Sequence, residues 1–264
     1  MFPLSKISLP SDAQSLQQAL EEGLRRVVTP AGDMVSVEDK SYPELRAIRV
    51  SLDNAVVMDR PQLMKPVGPV EPALQVEEFV TSGSPLRIQG AAINLDCRAT
   101  NVSLGQGRDR NGNLLLLLQS AVEGSVSINV SLSDLEDLLR AGAKAAAVEQ
   151  GVTVEDVRLE LRSRGERALD VVVHVRAKKL FLSATVRISG SADVDEHLTA
   201  RVSGLTCAGE GTLGSLACGF LTPHLERFNG REFPLMALPL GEVRLRDVQV
   251  SAGSGLQVSA RFGS

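Results

Sequence analysis

Long stretches of this chain change polarity at every residue, and that alternation constrains the fold more than any other feature. Val126-Ser-Ile128-Asn-Val130-Ser-Leu132 is a clear instance. A two-residue period turns one face of a strand toward a core and the other toward water. The pattern recurs at Ile48, Val50 and Leu52 within Glu44 to Met58, and at Val157, Leu159 and Leu161. It continues at Leu169, Val171, Val173 and Val175, then at Leu180, Leu182, Ala184, Val186 and Ile188, then at Leu198, Ala200 and Val202. Short polar turns, Arg164-Gly165-Glu166 and Lys178-Lys179, separate the later runs. Turns of that length imply antiparallel neighbours in a meander.

Three segments switch to a helical period. Ser11 and Asp12 open the first, whose Leu16, Leu20, Leu24 and Val27 share a face. Ser133-Asp134-Leu135-Glu136 spells a capping box before the second, and Gly151 is a natural stop. The third runs from Thr212 to Asn229-Gly230, with Leu213, Leu216, Ala217, Phe220, Leu221, Leu225 and Phe228 apolar and Pro223 inside. Between the first two helices, Pro61, Pro66, Pro69 and Pro72 predict a loop or extended connector over Arg60 to Pro72. Leu74 to Val80 reads as a helical turn. Leu86 to Leu104 reads as one strand whose phase slips at a bulge near Gly90-Ala91-Ala92, and Asn111-Gly112 as a hairpin turn. The last hairpin spans Glu242 to Val250 and Leu256 to Phe262. Together these elements predict an α+β fold: a highly curved antiparallel β-sheet wrapped around long amphipathic helices. One domain over residues 1–264 is expected, with two weakly similar halves at 1–150 and 151–264.

Composition excludes several function classes. A net charge of -4 lacks the basic footprint of a nucleic-acid binder. Seven Phe, one Tyr and no Trp leave little for stacking on bases or sugars. Cys97, Cys207 and Cys218 are odd in number and widely spaced, so buried free thiols and a reducing compartment are expected, although Cys207 and Cys218 could approach if a strand end meets a helix. The longest purely apolar run, Leu114 to Leu118, is far short of the roughly 20 residues of a spanning helix. No signal sequence is seen in Met1-Phe-Pro-Leu-Ser-Lys6. A cytoplasmic chain is expected, with peripheral membrane association open to it.

Chemistry-bearing patterns are few. His174, His197 and His224 lack the spacing of a metal set, and Asp193-Val-Asp195-Glu196 lacks a calcium loop's steps and glycine. Gly209-Glu-Gly211-Thr-Leu-Gly214 matches a dinucleotide fingerprint in letters. Its neighbouring strands read as antiparallel and no βαβ unit follows, so it reads as room for helix-to-sheet packing. No nucleophile sits beside a base. No catalytic residue, metal or cofactor is therefore expected. The apolar stripe of the third helix is either core packing or the lining of a cavity.

The segment Phe220-Leu-Thr-Pro-His-Leu-Glu-Arg-Phe228, then Leu238-Pro239-Leu240-Gly241, Val243 to Val250 and Gly255-Leu256 resembles the ending of the LmeA-like bacterial family, which is similar to the tubular lipid-binding (TULIP) superfamily. The resemblance implies a highly curved sheet rolled around a long helix with phospholipid or another acyl lipid bound within. Binding or transfer of such a lipid, without enzymatic activity, is the expected function. The candidate lining is Leu213, Leu216, Phe220, Leu221 and Leu225 of the third helix with Val171, Val173, Leu182 and Val186 of the meander, and Arg227 or Arg231 at the rim for a headgroup. Transient membrane contact is expected of such a carrier, and nucleic acid is not a partner. Oligomeric state is open. The alternative is a non-enzymatic scaffold with a filled core and a protein-binding surface.

Overall fold

The computed structural model describes residues 2–4, 8–58, 66–148, 151–179, 182–235 and 243–264. The elements are β1 (Phe2–Pro3), α1 (Ala13–Leu24), β2 (Val28–Thr29), β3 (Val35–Ser41), β4 (Glu44–Ser51), β5 (Val56–Val57), β6 (Val67–Ile88), β7 (Ala91–Arg108), β8 (Leu114–Ser131), α2 (Leu132–Val148), β9 (Thr153–Ser163), β10 (Ala168–Lys179), β11 (Leu182–Val194), β12 (Thr199–Gly209), α3 (Gly211–Glu226), β13 (Glu232–Pro234), β14 (Arg244–Ala252) and β15 (Gly255–Gly263). They build a ten-stranded sheet with the path β14-β15-β8-β7-β6-β4-β3 and a five-stranded sheet in the order β13-β12-β11-β10-β9.

This overturns the expected curved sheet around long amphipathic helices. Of the described residues, 61% are strand and 19% helix, in three short helices and two large sheets. The physical reason is length. At 17 residues α2 is the longest helix among the described residues and spans about 26 Å. The 18-residue β7 extends about 60 Å. Helices this short cannot serve as the axis of strands that long. Nor is the large sheet wholly antiparallel, since β4 and β6 run parallel.

The long strands come from segments that the sequence breaks up. Leu74 to Val80 is part of the 22-residue β6 rather than a helical turn. Pro69 and Pro72 lie within that strand too. They sit where β6 pairs with β7, where the register shifts between Val67 and Glu71 and between Pro72 and Leu74, and before β4 joins at Gln75. A proline is tolerated there because no ladder on that edge needs its missing N–H. The start of the expected connector, 60–65, falls outside the described residues. The phase slip near Gly90 is not a bulge but a two-residue turn. Gln89 and Gly90 both have positive φ (50° and 92°), and Ile88 pairs with Ala91 across them. That geometry joins β6 to β7 as a hairpin.

By contact, the chain divides into two units. The first comprises Met1–Ile128, Leu238–Asp247 and Ser259–Ser264; the second comprises Asn129–Ala237 and Val248–Val258. The first holds a filled core. Asp12 caps α1 by accepting from the Ser15 N–H at 2.8 Å. The buried stripe Leu16, Ala19, Leu20 and Leu24 then packs with Ile48, Val50, Leu74, Val102, Leu104 and Leu116. Gly23 is required here, because a Cβ would lie 1.7 Å from the Pro3 carbonyl oxygen. The Glu21 carboxylate accepts the N–H groups of Met34 and Val35, both at 3.1 Å, which ties α1 to the start of β3.

Candidate functional site

The second unit is built on an amphipathic sheet. Leu159, Val173, Ile188 and Cys207 form one cross-strand row over β9, β10, β11 and β12, and Val157, Val175 and Val186 form the next. Alternation places these rows on one face. The opposite face is polar: His174 Nε2 lies 3.3 Å from Glu160, Ser189 hydrogen-bonds Thr206 at 2.9 Å, and Ser191 donates to Asp170 at 2.7 Å.

Two helices border the sheet. Ser131 caps α2 by accepting the Asp134 N–H at 3.1 Å, so the cap lies two residues before the capping box read from the sequence. Glu136 is thereby freed to accept the Leu159 N–H of β9 at 2.8 Å. α2 packs along β9, and α3 along β12 and β11. Two features fix α3. Cys207 and Cys218 form a disulfide with their Cα atoms 5.5 Å apart. Gly209 and Gly214 meet backbone to backbone, since a Cβ on Gly209 would fall 2.0 Å from the Gly214 carbonyl. The bridge corrects the expectation of free thiols at 207 and 218; Cys97 alone is free. The fingerprint-like glycines thus give close helix-to-sheet approach, as their packing role requires.

Coverage of the apolar face is uneven. On β9, an edge strand, Val157 and Leu159 are buried. On its inner neighbour β10, Val171, Val173 and Val175 are only half-buried, as are Leu161 and Ile188 beside them. An inner strand flanked on both sides is ordinarily the better covered one. α2 packs on β9 and α3 on β12 and β11, which leaves β10, with its half-buried apolar strip, as the strand that neither helix chiefly packs upon.

The predicted lining residues whose side chains are described divide three ways. Val171 and Val173 lie in the half-buried strip, and Val186 is buried beside it on the same face. Leu213, Leu221 and Leu225 are half-buried and flank the sheet-facing line of α3, which is marked by buried Gly214 and Cys218. Leu216 and Phe220 lie on the other side of the helix and are 57% and 79% exposed. The Leu182 side chain and the Leu238-Pro239-Leu240-Gly241 motif fall outside the described residues. Arg227 and Arg231 are exposed, and the Arg231 guanidinium sits 5.8 Å and 5.1 Å from the ring centroids of Phe228 and Phe233. Sequence reasoning did not assign Leu161, Val175 and Ile188 to the strip, although their alternation placed them on its face.

Asp195 caps its own loop, accepting from the N–H groups of His197 and Thr199 at 2.9 Å each. Among the described residues no three His, Cys, Asp or Glu side chains gather to hold a metal, and no helix is long and apolar enough to cross a membrane. No family model matches the chain, and no curated protein or solved structure is significantly similar to it, so nothing identifies it as a member of the LmeA-like family.

Proposed function

We propose that the second unit binds or transfers an acyl lipid, whose hydrocarbon lies along the uncovered strip of its sheet. The observation that carries this reading is an inversion of burial in two adjoining rows: Val157 and Leu159 of the edge strand β9 are buried, while Val175 and Val173, their partners on the inner strand β10, are only half-buried. Valines and leucines with no polar group among them suit a chain of methylenes. Each methylene removed from water contributes about 0.8 kcal/mol. A long acyl tail is held by such a surface without a specific polar contact. The reading needs no enzymatic group and no cofactor, and it does not rest on wrapping a sheet around helices.

The Cys207–Cys218 bridge bears on location. Disulfides persist in oxidising compartments and are rare in reducing ones. The bridge therefore favours an oxidising setting over the cytoplasmic one expected from the sequence.

The test is extraction of the purified protein with organic solvent and mass spectrometry of the extract, paired with uptake of a fluorescent fatty acid. Acyl lipid in the extract, and uptake that falls when Val171 and Val173 are both changed to Ser, support the reading. An extract without lipid and no uptake by the unaltered chain rule it out.

The filled core of the first unit fits the scaffold alternative for that part of the chain. A lipid probe that labels neither unit, with a protein partner captured through the first, would favour scaffolding for the whole.

A further inference from the structure

The outward side of α3 is apolar as well as the side that meets the sheet. Leu216 and Phe220 lie one helical turn apart on it, and His224 continues the line toward the turn after the helix. Phe228 on that turn is 50% exposed and Phe233 on β13 is 39% exposed. Large apolar side chains exposed together mark a contact surface. This surface is also firmly held. The disulfide and the Gly209–Gly214 contact fix the helix. Gly230 donates its N–H to the Val202 carbonyl at 2.7 Å, and Asn229 Oδ1 accepts the Leu205 N–H at 3.3 Å, which fixes the turn on β12.

We propose that this face docks on an anionic lipid bilayer. Charge complementarity selects that occupant. Arg227 and Arg231 are exposed, Arg231 over the rings of Phe228 and Phe233, and among the described residues neither forms an ion pair with a carboxylate. The nearby Glu232 is taken by Arg201, whose own pKa is raised by that hydrogen bond. Glu226 is the carboxylate left to oppose the two guanidiniums on this turn. The patch is thus locally cationic on a chain whose net charge is -4. Apolar side chains interleaved with arginines match the boundary between headgroups and acyl chains: rings enter the hydrocarbon edge and guanidiniums engage phosphates. A second copy of the chain fits less well, because a two-fold contact here sets the same guanidiniums of both copies against each other.

The inference shares its ligand class with the proposed acyl site but uses the opposite side of α3, so the two can fail separately. The experiment is flotation of the full chain with vesicles of phosphatidylcholine, with and without phosphatidylglycerol, at low and physiological salt. Binding to the anionic vesicles is expected. It should weaken about tenfold or more in the Leu216→Ser/Phe220→Ser double variant, and weaken in Arg231→Gln with a shallower salt dependence. Both sites are exposed, and thermal unfolding of each variant checks that the fold is kept. Loss of vesicle binding with unchanged fatty-acid uptake in the double variant supports the docking surface. Retained vesicle binding with lost uptake places Phe220 in the acyl site and overturns it. No binding of the unaltered chain to either vesicle, or a dimer in sedimentation that Phe220→Ser dissolves, overturns it as well.

Discussion

Replacing Cys207 and Cys218 together by alanine removes the disulfide that cross-links the middle of α3 to β12. The bridge closes a loop with a sequence separation of 11. The chain-entropy relation for a loop of that size gives about 2.8 kcal/mol of stabilisation through restriction of the unfolded chain. Cys218 is buried, so loss of its sulfur adds a small packing term in the same direction. Reverse effects are small, because the Gly209–Gly214 contact survives the change. The cost should fall on the second unit alone. Two units need not unfold together, so a single global midpoint is a poor reporter. Amide hydrogen exchange over Gly211 to Glu226 reads the local opening directly. Protection there should fall on the order of a hundredfold, with the α1 amides unchanged. Equal protection of α3 in both proteins, or equal loss in α1, would refute the view that the bridge is what holds this helix to its sheet.

Other perturbations read the same architecture. Gly209→Ala should destabilise the second unit by about 1–3 kcal/mol in urea unfolding, because its Cβ meets Gly214 backbone, whereas Gly219→Ala, with open space around it, should stabilise α3 by up to about 1 kcal/mol. Leu20→Ala in the filled core should cost about 2–5 kcal/mol, and Val173→Ala in the half-covered strip clearly less, by denaturant titration. Asp109 accepts from the Asn113 side chain at 2.9 Å and from the Asn111 and Asn113 N–H groups at 2.8 Å each. The Asn113 amide, then those N–H groups and the Arg26 charge, hold its carboxyl below the ordinary 3.8 against the opposing effect of burial. Its stabilisation is therefore present above that value and lost as pH falls through the lowered one. The stability gap between the unaltered chain and Asp109→Asn should narrow on acidification across that window.

Much of the local structure is legible in the sequence, and its limits have physical causes. Asp12 and the leucine period of α1 are visible because a cap and a 3.6-residue repeat are local signals. The meander from β9 to β12 is visible because one face alternates over most of each strand, although the register shifts at Arg176/Ala177 and at Ser189/Ser191. β6 is hidden because its prolines look like breakers until the unpaired edge beside them is known. The β6–β7 turn is hidden because Gln89 is not a residue type that announces positive φ. The disulfide depends on where a strand end meets a helix, which spacing along the chain does not encode. On α3 the period shows apolar stripes on two sides but not which faces the sheet; the small residues Gly214 and Cys218 decide that, and Leu216 and Phe220 are left outside. The β10 strip is the least legible feature. Its valines look identical to core valines, and only the uneven coverage by two helices distinguishes them.

The most direct test is to load the purified protein with a photoactivatable fatty acid, irradiate it, digest it and map the labelled peptides. Label concentrated on β10, over Val171 to Val175, and on neighbouring Ile188 is the outcome expected of a hydrocarbon lying along that strip. Label confined to the first unit, or none above that of an unrelated control protein, would contradict it.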